Sequence, residues 1–142
     1  MSKVAIVFWS GTGNTAAMVK LVEEGARGAG ADVDVFTASE FTPAKAEEYD
    51  LLAFGCPSMG SEVLEEDEFA PMFSAVKSGL GGKRIALFGS YGWGDGQWMR
   101  DWAEECKFSG CVMAAEPVIA NEYPDDIAAD ACRALGTALA EA

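Results

Sequence analysis

Five near-continuous apolar runs, at residues 4–8, 33–36, 51–55, 84–88 and 112–119, alternate with stretches whose apolar residues recur at helical spacing. Runs that stay apolar, instead of alternating with polar residues, read as strands buried on both faces. A parallel sheet covered by helices provides that burial. Residues 16–27 carry Met18, Leu21, Val22 and Ala26 on one face and stop at Gly28. Residues 69–76 repeat the pattern with Phe69, Met72, Phe73 and Val76, and residues 98–106 with Trp98, Met99, Trp102 and Cys106. The last helix, 127–139, has Ile127, Ala131, Leu135 and Leu139 inward, after the start signal Pro124-Asp125-Asp126. The weakest helix, 44–48 after Pro43, lies between the second and third strands. This alternation predicts an α/β fold: a three-layer, doubly wound, five-stranded parallel sheet of order 2-1-3-4-5. Ligands then collect at the carboxyl ends of strands 1 and 3, where the winding reverses.

At 142 residues the chain is expected to form a single domain spanning 1–142, with half its residues apolar. No apolar run approaches the roughly 20 residues of a membrane span, and the sequence enters its first strand without a signal-like segment. A cytoplasmic monomer with no membrane association is the expectation. Cys56, Cys106, Cys111 and Cys132 show no C-x-x-C spacing and read as buried fillers. The chain has no histidine, which removes the commonest general base and zinc ligand. Its net charge of −13 repels nucleic acid and anionic membranes and steers basic proteins toward the surface.

Between the first strand and its helix lies Ser10-Gly11-Thr12-Gly13-Asn14-Thr15. A strand-to-helix turn of small residues with hydroxyl and amide side chains suits a phosphate, because backbone N–H groups and the helix N-terminus point at it. No Lys or Arg stands between Lys3 and Lys20, so neutral dipoles alone would hold the anion. The P-loop pattern G-x-x-x-x-G-K-[ST] is absent. Gly11-x-Gly13-x-x-Ala16 is an accepted variant of the dinucleotide fingerprint, but a Ser/Thr-rich turn favours one terminal monophosphate.

The loop after strand 3 reads Cys56-Pro57-Ser58-Met59-Gly60-Ser61-Glu62, and that after strand 4 reads Gly89-Ser90-Tyr91-Gly92-Trp93-Gly94-Asp95-Gly96. Trp93 stands between glycines, off any periodic core face, and is free to lie against a planar ligand. The Met59 thioether could pack on the opposite face. A phosphate cradle beside a flat slot suggests a planar ring joined to one phosphate by a polar chain, which describes FMN.

These motifs, Trp9 to Thr15, Gly55 to Glu62 and Phe88 to Gly94, resemble those of short-chain bacterial flavodoxins, and the likeness runs through essentially the whole chain. The resemblance implies a flavodoxin-like fold and tightly but non-covalently bound FMN. It also implies low-potential, one-electron transfer between semiquinone and hydroquinone, with no enzymatic activity. The implied cofactor-binding residues are Trp9, Ser10, Gly11, Thr12, Gly13, Asn14, Thr15, Pro57, Ser58, Met59, Gly60, Ser61, Glu62, Ser90, Tyr91, Gly92, Trp93 and Gly94. Ser10, Thr12, Asn14 and Thr15 would hold the phosphate, and Gly11 and Gly13 would let their amides approach. Ser90 would reach the phosphate or ribityl chain. Met59 and Trp93 would sandwich the ring, with Tyr91 and Gly92 along its pyrimidine edge. Glu62 would accept the ring N3–H, and the Gly60-Ser61 peptide would turn over on reduction. Two positions depart from the pattern. Ser61 stands where many relatives have Asp, and Pro57 lacks a hydroxyl that some offer. The implied partners are redox proteins with basic docking surfaces, namely reductases and ferredoxin-dependent oxidoreductases.

A Gly60 carbonyl accepting a hydrogen bond from a reduced ring would contribute about 0.5–1.5 kcal/mol, roughly 20–65 mV for one electron. Glu62, Glu65, Glu66, Asp67, Glu68 and Asp95 crowd the same loops. One carboxylate about 12 Å from the ring disfavours a second electron by roughly 1.4 kcal/mol, on the order of 60 mV before screening. An FMN-dependent NAD(P)H oxidoreductase of quinone or nitro reductase type is the alternative, though it usually needs extra loops around a substrate. A phosphoacceptor signalling domain needs acids ending strand 1 and an Asp ending strand 3. Here those places hold Phe8-Trp9-Ser10 and Gly55-Cys56.

Overall fold

The computed structural model describes residues 2–142. Strand β1 (Lys3–Phe8) leads into helix α1 (Asn14–Gly28), then β2 (Asp32–Thr37), a 3-10 turn (Ala38–Glu40), α2 (Pro43–Ala46) and β3 (Leu51–Gly55). Helix α3 (Phe69–Lys77), β4 (Arg84–Tyr91), α4 (Gln97–Phe108), β5 (Val112–Met113), β6 (Val118–Asn121) and α5 (Asp126–Ala140) complete the order. The strands lie as β2-β1-β3-β4-β5, all parallel, as the alternation predicts.

Side chains along β1 alternate between two cores, as strand geometry demands. Ala5 and Val7 join Phe54, Phe69, Phe73, Trp98 and Trp102 beneath α3 and α4. Val4 and Ile6 join Met18, Val22, Cys132, Leu135 and Leu139 beneath α1 and α5. Because both faces are covered, β3 is buried along its whole length. All four thiols are buried, and burial pushes that of Cys56 up to about 12. Among the described residues, no helix is long and apolar enough to cross a membrane.

The structure corrects three expectations. The run 112–119 is not one strand. Five steps from Met113 to Val118 oppose only three on β4, from Ile85 to Phe88, so two extra residues bulge out around Pro117, which has no N–H for the ladder. The β6 segment after the bulge pairs with β4 as a sixth strand. Between β2 and β3 the helical content is two short pieces, Ala38–Glu40 and Pro43–Ala46, the second begun by Thr42, whose side chain accepts the Lys45 N–H. Ile127 is 82% exposed, and α5 instead buries Ala128, Cys132, Leu135, Gly136 and Leu139. At 3.6 residues per turn, twelve residues of strict i+4 spacing drift by about 120°, so Ile127 and Leu139 cannot share a face. Gly136 settles which face turns inward, since any Cβ there would meet the Val22 carbonyl of α1 at 2.1 Å.

Candidate cofactor-binding site

The sheet's carboxyl edge gathers four loops. The first leaves β1 with Trp9 N–H still donating to the Gly55 carbonyl (3.1 Å). Ser10 Oγ then accepts N–H groups of Gly13 and Ala16, each at 3.2 Å, which folds the loop over its own oxygen. Gly13, at the N-cap of α1, has φ 96°, a conformation that costs a side-chain-bearing residue energy. The first turn of α1 carries no acid to offset the helix's positive end. Thr15 is buried, its hydroxyl 2.8 Å from that of Ser90, and it also accepts the Ser90 N–H (3.3 Å).

The second and third loops are tied together similarly. Ser58 N–H donates to the Ser90 carbonyl (2.9 Å), and the Trp98 indole donates to the Cys56 carbonyl (3.3 Å). Met59 and Val63 exchange both backbone bonds, at 2.8 and 3.0 Å, closing a turn over Gly60, Ser61 and Glu62. Gly60 has φ 48° and Glu62 φ 58°, the latter uncommon for a residue with a Cβ. The Glu62 carboxylate accepts the Trp98 N–H in the first turn of α4 (3.4 Å) and fills the space above Gly94. A Cβ on Gly94 would stand 2.4 Å from that carboxylate. Glu65 folds back into the start of α3, accepting N–H groups of Asp67, Glu68 and Phe69, each at 2.8 Å. Burial by itself pushes its pKa up, but those three donors outweigh burial and hold the carboxyl below its usual range.

These loops enclose a cavity of about 430 Å³. Its wall takes Trp9, Gly11, Thr12 and Asn14 from the first loop, Pro57, Ser58 and Met59 from the second, and Ser90, Tyr91 and Gly92 from the third. None of these residues is basic, in keeping with an anion held by dipoles. The remaining sequence-derived residues stand off the wall. Ser10, Gly13 and Thr15 shape the first loop from within, while Gly60, Ser61 and Glu62 form the tip of the second. Met59, on the wall, is 36% exposed, and Trp93, which follows Gly92 of the wall, is 62% exposed.

Sequence reasoning missed the fourth loop. Glu122 and Tyr123, just after β6, complete the wall, and Glu122 N–H donates to the Tyr91 carbonyl (2.8 Å). The strand order alone carried the signal, because it sets the end of the last strand beside that of β4.

Uncharged donors at one part of the wall and apolar Met59 and Tyr91 at another fit a phosphate joined to a flat ring. A curated flavodoxin from Clostridium beijerinckii is 45% identical over 125 residues, covering 88% of this chain and 91% of that one. One from Megasphaera elsdenii is 41% identical over 139 residues, covering 98% and 99%. The solution structure of the two-electron reduced Megasphaera elsdenii flavodoxin superposes with a TM-score of 0.91 at 42% identity, over 98% of this chain and 99% of that one. With the Flavodoxin family model matching residues 6–134 as well, the chain belongs to the flavodoxin family.

Proposed function

We propose that this protein carries single electrons at low potential on non-covalently bound FMN, between its semiquinone and hydroquinone states, for redox proteins with basic docking surfaces. Membership of the family implies a flavin and an electron-carrier role. One observation carries the reading further. A single cavity joins the helix N-terminus, Thr12, Asn14 and Ser58 to apolar Met59 and Tyr91, with Trp93 uncovered nearby. That donor set suits a monophosphate at one end and a flat ring at the other. When bound, the flavin supplies the redox chemistry, and the chain supplies its binding and its electrostatic surroundings.

The acids contribute unequally. Asp95 pairs with Arg100 (3.0 Å), which offsets its charge, and Glu65 spends both oxygens on backbone N–H groups. Glu66 and Asp67 remain exposed, and Glu62 lies against α4. The carboxylates left uncompensated still disfavour a second electron by repulsion.

A stepwise anaerobic reductive titration of the flavin-loaded protein, followed by its visible spectrum, tests the reading. A blue neutral radical midway is the expected result. Direct two-electron bleaching with turnover of a nicotinamide would replace the carrier by an oxidoreductase.

A further inference from the structure

Trp9 is fixed at three points, one through its backbone and two through its side chain. Its backbone N–H donates to Gly55 of β3 (3.1 Å), and its indole N–H donates to Glu68 Oε2 (2.8 Å). Its six-membered ring covers Gly11, where a Cβ would stand 2.9 Å from the ring. The partner is far away in sequence, 59 positions on, at the start of α3. The N–H groups at the start of the helix are already taken, because Glu65 accepts those of Asp67, Glu68 and Phe69. Glu68 makes no capping bond and its carboxylate is free to reach the indole. Glu65 in turn has its own N–H on the Cys56 sulfur (3.4 Å). A continuous path therefore runs from Gly11 through Trp9, Glu68 and Glu65 to the loop after β3.

We infer that Trp9, held by Glu68, is a positioning residue for the phosphate loop, so that the grip on a phosphate depends on the start of α3. This rests on the FMN reading above. An indole held by Glu68 on a backbone anchored to β3 is a fixed plate against which Gly11 packs, and Gly11 precedes Thr12 on the cavity wall. Released from Glu68, the plate can rotate, and the loop loses the surface that sets the direction of its amides. A positioned donor set binds more tightly than one that must be ordered on binding. The ring end of the ligand would lie by Met59, Tyr91 and Trp93, with which neither Trp9 nor Glu68 hydrogen-bonds.

The test compares FMN with riboflavin, which lacks the phosphate, on the apo-protein. Trp9→Phe keeps a ring and removes the N–H; Glu68→Ala removes the acceptor; Glu68→Gln keeps one. Trp9→Phe and Glu68→Ala should each weaken FMN about fivefold, the scale of one hydrogen bond, and riboflavin less than twofold. The double variant should be no weaker than either single one, because both break the same link. Glu68→Gln should restore most of the affinity. Thermal melts of each variant identify any that fail to fold; should Trp9→Phe fail, Glu68→Ala, a change at an exposed position, decides the matter against wild type and Glu68→Gln. Equal losses for the two ligands, or multiplicative losses in the double variant, overturn the inference. A wild-type protein that takes up no FMN removes the cofactor reading itself, whereas tight wild-type binding that every variant retains removes only the role of Trp9.

Discussion

The hydroxyl of Thr15, in the first turn of α1, lies 2.8 Å from that of Ser90 near the end of β4, in a buried contact joining two loops of the candidate site. Sequence places both residues near the ligand, but the structure makes them partners of each other first. Ser90→Ala leaves a buried hydroxyl without that partner and should destabilise the apo-protein by about 1–3 kcal/mol in urea unfolding. Adding Thr15→Val should not recover the loss, because the amide of residue 90 then loses the Thr15 oxygen it donates to. No change in Ser90→Ala would show that the contact carries no stability.

Trp93 is largely solvent-exposed, so its removal tests binding without disturbing the core. Trp93→Ala should leave apo-protein stability within about 0.5 kcal/mol of wild type. FMN affinity should fall about tenfold as a stacked aromatic and its buried area are lost, and the bound flavin should fluoresce more brightly. Unchanged quenching would count against stacking on this indole.

Thr12 and Asn14 line the cavity, whereas Thr15 does not. Replacing both by alanine should weaken FMN by about tenfold or more while leaving riboflavin nearly unaffected, since phosphate donors alone are removed. Calorimetric titration with each ligand measures the two losses. Equal losses would contradict the phosphate assignment.

Glu65 is a buried carboxylate whose folded-state value lies below the usual 4.5. A depressed value means that its contribution to stability is complete above the unfolded-state value. That contribution is then lost as pH falls through the folded one. Wild type should therefore exceed Glu65→Gln in stability at pH 7, and the gap should close below about pH 4. Urea unfolding of both proteins across that range provides the comparison; a gap independent of pH would mean that charge plays no part.

Glu62 sits against Gly94 and the first turn of α4. Glu62→Gln removes a negative charge beside the site and should make the second reduction easier, by an amount on the order of 60 mV. Spectroelectrochemistry reads the shift directly. Gly94→Ala should destabilise the protein both through its positive φ (87°) and by displacing the Glu62 carboxylate. In a Glu62→Ala background only the backbone cost, about 1–2 kcal/mol, should remain.

What could be read from the linear chain was whatever depends on near neighbours. Continuous apolar runs gave β1 to β4 and their order. The clustering of Ser, Thr, Asn and Gly after β1 gave the phosphate loop, and the glycines around Trp93 placed that indole outside the core. Each of these follows from spacing or local backbone preference, which a few adjacent residues carry by themselves.

Tertiary structure decided the rest, because the deciding partners are far apart in the chain. The bulge around Pro117 follows from how β4 meets a strand with two residues too many. The outward turn of Ile127 follows from the close approach of Gly136 to α1. Glu68 holds Trp9 from 59 positions away, although in the sequence it reads like its acidic neighbours. The fourth loop reaches the cavity only because β6 lies beside β4. Residue type and spacing determined which groups this protein could offer a ligand; which of them face the cavity and which are consumed by one another depends on contacts that form only when distant segments pack.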